Sequence, residues 1–169
     1  MLVFHGNGKY SFTDKGLLQH IFRSYSMNDI DILPKFDGTL VHDHFKSYFN
    51  YGASHGLCNA HHLRELTFIQ ERYEHTWAKK MERLLINIKK AVESHYQTHG
   101  TALPEKKIKR YQNTYMNLIC RAREECPKNM GEDTKKRGRI KQTKARCLLE
   151  RLRIFNRSVL AFMYDPTVP

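Results

Sequence analysis

The chain lacks the features that would remove it from ordinary water-soluble globular proteins. Its 169 residues contain no run of about 18 apolar residues, so a transmembrane helix is not expected. Met1-Leu-Val-Phe-His-Gly6 has no basic stretch followed by an apolar core, so no secretory signal is read and a cytoplasmic location is expected. The four cysteines, Cys58, Cys120, Cys126 and Cys147, are scattered apart from Cys120 and Cys126, and reduced thiols are the better default. No internal repeat is visible. What remains is a chain long enough for one core, or for one domain with an appended helical lobe.

Acid is scarce in the second half. Residues 1–100 hold 12 Lys/Arg against 10 Asp/Glu, whereas residues 101–157 hold 17 against 6, so nearly all of the net +12 sits there. A basic half suggests a polyanionic partner, because each Lys or Arg on a phosphate releases condensed counterions. A solvated helical surface accounts for the charge equally well.

Periodicity sets out the elements. Residues 1–12 read as two short strands around Gly6-Asn-Gly8, and Leu17, Leu18, Ile21, Phe22 and Tyr25 as a short helix. Thr39-Leu-Val-His-Asp43 reads as a buried strand ending in a carboxylate, Phe45–Phe49 as a short helix, and His55–Asn59 as a second strand. That β-α-β order predicts a parallel pair in an α/β layer. From Ala60 a stripe of Leu63, Leu66, Ile69, Tyr73, Trp77, Met81, Leu84, Ile88, Val92 and Tyr96 predicts one long amphipathic helix, or two in series, ending near Gly100. Another helix runs through Ile108–Ala122 and stops at Pro127. Residues 128–144, rich in charge and without apolar period, read as a mobile loop. Leu148, Leu152, Phe155, Val159 and Phe162 predict a last helix ending at Asp165-Pro166.

Two groups carry possible chemistry. Asp43, between His42 and His44, stands at a strand's carboxyl end, where ligands of open α/β sheets gather. A carboxylate there suits Mg²⁺, which favours oxygen ligands; a lone Asp after a strand does not by itself specify a catalytic site. Cys58-x-x-His61, with His62 adjacent, offers a zinc reading and a structural one. Structural zinc takes four ligands, usually in two similarly spaced pairs, and no second pair is present. A buried, hydrogen-bonded pair capping the long helix is the favoured reading. Glu65, after Arg64, suits either a metal acid or an exposed first-turn residue offsetting the helix dipole.

Longer strings go further. Ile32-Leu-Pro-Lys-Phe-Asp-Gly-Thr-Leu-Val-His-Asp-His-Phe-Lys-Ser-Tyr-Phe49 resembles the central domain of insertion-sequence-66-type transposases. So does Leu57-Cys-Asn-Ala-His-His-Leu-Arg-Glu-Leu66, followed by Trp77-Ala-Lys-Lys-Met81 and Leu84-Leu85. Lys136-Arg-Gly-Arg-Ile-Lys-Gln-Thr-Lys-Ala145, Leu148 through Asp165, and Val168-Pro169 extend the resemblance, which runs from about Asn28 to the last residue. It implies an α/β, ribonuclease-H-like domain of the Asp-Asp-Glu class, mostly helical after residue 60 because a large helical insertion precedes the final acid. It also implies Mg²⁺ or Mn²⁺ as cofactor, DNA as partner, and cutting and joining of DNA at element ends. Asp43 matches the family's second acid, and so its catalytic and metal-binding position. Cys58 and His61 match its Cys-x-x-His signature, with Arg64 beside them, in a structural or site-shaping role.

The departures bear on activity. Nothing in residues 1–28 matches the family's first Asp; Asp14 and Asp29 lack its context. The final Glu belongs to a segment beyond Val-Pro, and Glu65 is not that acid. The expectation is therefore a fragment truncated at both ends and inactive alone, with Mg²⁺ not held tightly. Its parts would be a divergent 1–28, a partial β-α-β core at 29–60, a helical insertion at 61–127, a basic loop at 128–144 and a terminal helix at 145–169. The alternative is a DNA-binding or regulatory remnant working through Lys135, Lys136, Arg137, Arg139, Lys141 and Lys144. If the parent sheet's first strands are missing, unpaired edges favour self-association or docking onto other transposase subunits.

Overall fold

A computed structural model describes residues 3–5, 38–51, 54–130, 140–166 and 168–169. The sequence expectations for residues 9–12 and 17–25 lie outside them. The chain divides into two units, Met1–Cys58 with Arg157–Pro169, and Asn59–Asn156.

In the first unit, β1 (Val3–His5), β2 (Thr39–His42) and β3 (Ser54–Leu57) form a sheet in that order. β2 and β3 run parallel, with Leu40 opposite His55 and Val41 opposite Gly56. β1 runs antiparallel to β2, with Phe4 opposite Leu40. The central strand is therefore paired on both sides. Leu40, Val41 and Leu57 are buried, as a short apolar run in a covered strand requires. The 3₁₀ helix Lys46–Asn50 forms the crossover between β2 and β3, one residue later than the short helix expected.

Gly56 is there for space. A Cβ on it would stand 3.1 Å from Val41 Cγ2, close enough that this side chain would have to give way, and in ordinary contact with Val168 Cγ1 at 3.5 Å.

The second unit holds α1 (Asn59–Tyr73), α2 (Thr76–His99), α3 (Glu105–Glu125) and α4 (Lys144–Ile154). Each helix packs on the next, and α4 packs back on α1, which closes the ring. The expected long stripe is thus two helices. Their break falls at Glu74, whose φ of 55° ends α1 in a left-handed turn without glycine. Gly100 ends α2 in the same way, at φ 67°. Leu66, Ile69, Trp77, Ala78, Met81, Leu85, Ile88, Tyr115, Ile119, Leu148, Leu149 and Leu152 fill the middle, all 3% exposed or less.

Polar contacts lock the helix ends. Thr76 N–H (2.8 Å) and Oγ1–H (2.6 Å) both donate to the Glu125 carboxylate, so α3 supplies the cap that His75 does not. Burial pushes Glu125 up, but the hydrogen bonds from Thr76 and Trp77 outweigh it and hold the carboxyl below its ordinary value. The buried Tyr115 hydroxyl donates to the Leu152 carbonyl at 2.9 Å, satisfying an acceptor in the last turn of α4. The Trp77 indole N–H meets Cys126 Sγ at 3.1 Å. The Arg151 guanidinium makes two parallel 2.9 Å bonds to Glu65, tying α4 to α1.

The single last helix expected through Phe162 is instead three pieces: α4, α5 (Asn156–Val159) and α6 (Ala161–Tyr164). At the first break Phe155 leaves helical geometry, and the Asn156 side chain takes the Arg153 carbonyl at 2.9 Å, competing with the backbone. No helix of the described residues is long and apolar enough to cross a membrane.

Candidate active site

Asp43 follows β2 directly, and the chain must turn there before the 3₁₀ crossover. Asp43 Oδ1 accepts a bond from the Phe45 N–H at 3.3 Å, a side chain standing in for a backbone turn. His44 between them has φ 72°, the left-handed region that histidine enters more readily than most residues. Tyr48 N–H then donates to the Phe45 carbonyl and starts the crossover. The outcome is an exposed carboxylate at the carboxyl end of a strand paired in parallel with its neighbour.

Beneath it lies His42, fully buried among rings: Phe49 edge-on at 4.7 Å, Tyr48 at 5.2 Å and His55 at 5.4 Å. Among the described residues, neither ring nitrogen of His42 has a hydrogen-bonding partner. Burial, and then the neighbouring His55, lower its pKa to about 4 against the raising effect of Asp43, so the ring is neutral at pH 7. His55 is lowered too, chiefly by burial. A buried polar group without a partner is uncommon enough to need a reason, and sites are where such groups concentrate. His42 and His55 carry no site role in the sequence reading. Their alternation with apolar neighbours along two paired strands was the available signal.

The remaining candidates fall in both units. Cys58 ends the first; it is buried, and its N–H extends the parallel ladder to the His42 carbonyl at 2.8 Å. His61 and Arg64 lie in α1, where Arg64 Nε donates to the Ala60 carbonyl one turn back at 3.2 Å. At the start of α1 the short side-chain pair is His62 Nδ1 with Asn59 Oδ1 at 3.1 Å, and His62 is buried. Lys135, Lys136, Arg137 and Arg139 lie outside the described residues. Lys141 and Lys144 are exposed, and Lys144 Nζ sits 4.8 Å from the centre of the Phe68 ring. Asn129 and Gln142 clasp the two described ends of the basic segment through a reciprocal pair of 2.8 Å bonds.

Among the described residues, no three His, Cys, Asp or Glu side chains converge as metal ligands. A hard dication wants several oxygen donors, and around Asp43 the neighbours are imidazole and aromatic rings. The described residues alone do not fit a magnesium site.

Comparison with known proteins adds a family model described as the Transposase IS66 family, which matches residues 20–169. None of the curated proteins and none of the solved structures matches the chain. The family match takes in the exposed Asp43, the buried Cys58 and the whole helical unit, together with residues 20–27 upstream of the strings quoted above. Covering far more than half of the sequence, it places this chain in the IS66 transposase family.

Proposed function

We propose that Asp43 is the second acid of an Asp-Asp-Glu transposase site on a ribonuclease-H-like sheet, and that this chain does not cut or join DNA by itself. The observation that carries the reading is Asp43 itself: a solvent-facing carboxylate ending the central, parallel-paired strand of a chain in this family. The family's Asp-Asp-Glu class implies divalent-metal use among its members. Two-metal strand transfer needs several carboxylates to clamp the attacking and leaving oxygens. The described residues bring one. Partner acids, and with them Mg²⁺ or Mn²⁺, would come from other transposase subunits, in the cytoplasm where element DNA lies.

The test is an assay of Mg²⁺- or Mn²⁺-dependent cleavage and joining on element-end DNA. No turnover is expected from the chain alone. Turnover that Asp43→Ala abolishes would overturn the proposed inactivity while upholding the role of Asp43. In an active family member, replacing the aspartate aligned with Asp43 by alanine should abolish strand transfer; retained activity would refute that role.

A second reading, a DNA-binding remnant, is favoured by the charge in residues 101–157. It predicts sequence-independent duplex binding that weakens steeply with salt.

A further inference from the structure

The helical unit carries a basic groove that the active-site reading does not use. α2 and α3 run antiparallel, since the end of α3 at Glu125 caps the start of α2 at Thr76. Between them opens a groove of about 480 Å³. Its floor is Trp77, Leu84 and Leu118, and its rims are exposed and polar: Lys80, Arg83 and Asn87 from α2, and Thr114, Asn117 and Arg121 from α3. Both rims follow the helical repeat, with steps of three and four residues, so each forms one continuous ridge.

The groove gathers cations from both helices onto one trough. Elsewhere on the same helices Lys89 pairs with Glu93 at 3.5 Å and Lys109 with Glu105 at 2.7 Å. Among the described residues, Lys80, Arg83 and Arg121 make no salt bridge. The groove's acid, Glu125, is already engaged by the Thr76 and Trp77 amides at its far end. Three cations and one carboxylate therefore line one trough, a net positive charge flanked by amide and hydroxyl side chains that suit phosphate oxygens.

We infer that the α2/α3 groove binds the sugar-phosphate backbone of duplex DNA, independently of sequence, through Lys80, Arg83 and Arg121. This goes beyond the active-site reading: it needs neither Asp43 nor a metal, and it is separate from the basic segment at residues 135–139. Trp77, the chain's single tryptophan, lines the groove and so reports its occupancy.

The experiment is a salt titration of the full chain binding a random-sequence duplex, read by anisotropy and by Trp77 emission. Lys80→Ala/Arg83→Ala/Arg121→Ala should lower the slope of log K against log salt by about 2.7, since each phosphate contact contributes about 0.9. Affinity should fall about tenfold or more, with the Trp77 response lost. If the triple variant melts early by circular dichroism, Arg83→Gln and Arg121→Gln singly should each lower the slope by about 0.9. An unchanged slope in folded variants, or no duplex binding by the parent chain, overturns the groove. Replacing Lys135, Lys136, Arg137 and Arg139 by alanine leaves the groove's contribution and the Trp77 response in place; their loss would also overturn it. Strand cleavage by the chain would count against its proposed inactivity and leave the groove untouched.

Discussion

The helical unit and the sheet unit solve opposite problems. Residues 59–156 close four helices into a ring, and the buried Tyr115 hydroxyl and Trp77 indole each find a partner in it. The sheet unit offers strands of three and four residues and buries His42 with no hydrogen bond from the described residues. Its exposed carboxylate stands directly after that histidine. A fold that buries an imidazole unpaired among the described residues, directly before an exposed strand-end acid, accepts lower stability there, whereas the helices close around satisfied polar groups.

The sharpest way to break this contrast is to empty the helical core. Trp77→Ala removes a fully buried indole and leaves Cys126 Sγ without its donor. The loss should be about 3–5 kcal/mol, as for large-to-small core changes in general. Thermal melting at a helix-sensitive wavelength checks it. Since Trp77 lies wholly within residues 59–156, slowed amide exchange at Leu40 and Val41 in the variant should match the parent. A cost below about 1 kcal/mol, far under that range, would show a core less closed than the ring implies.

Acid should separate the two units in the opposite order. His42 has its pKa lowered to about 4 by burial, while the unfolded ring titrates near 6.5. The unfolded state then binds more protons between those values. The sheet's stability is therefore complete above about pH 6.5 and is lost as pH falls toward 4, by something on the order of 2 kcal/mol. Glu125 and Glu150 in the helical unit are held below the ordinary carboxylate value, so their contribution is present above about 4.5 and goes only as pH falls below it. The protection of β2 amides, corrected for the pH dependence of intrinsic exchange, should fall between pH 6.5 and 4.5 while Trp77 emission stays constant. His42→Phe should flatten the β2 response; an unchanged pH profile in that variant would remove His42 as its cause.

Legibility in the sequence follows how local each cause is. Leu40-Val41 flanked by polar residues, and the heptad-like steps from Leu66 to Val92, declare a strand and helices because burial imposes its own period. Asp43 is legible as a strand-end acid, and its long flanking strings make it more. The break at Glu74 is not legible: no Gly or Pro marks it, and the carboxylate that caps the next helix arrives from Glu125, 49 residues on. The break at Phe155 depends equally on a side chain's competition for one carbonyl. His42 and His55 become a pair only through strand register, and Lys80, Arg83 and Arg121 a groove only when two helices lie antiparallel.

The smallest expected effect tests whether the ring of helices is closed by packing or by charge. Arg151 and Glu65 meet through two 2.9 Å bonds between α4 and α1, with side chains 22% and 41% exposed. Bidentate geometry favours the pair, but exposure lets water and salt compete, so its coupling should be about 0.5–1 kcal/mol. A double-mutant cycle with Glu65→Gln and Arg151→Met measures it, because each single change also disturbs local solvation that the cycle cancels. Raising salt to about 1 M, where the screening length is near 3 Å, should remove most of that coupling. Ile69, Leu148 and Leu152 remain buried on the same helices without it, so the melt should stay cooperative in both single variants. A coupling well above 1 kcal/mol that persisted in salt would mean charge does the closing, and would bring the helical unit closer in kind to the sheet.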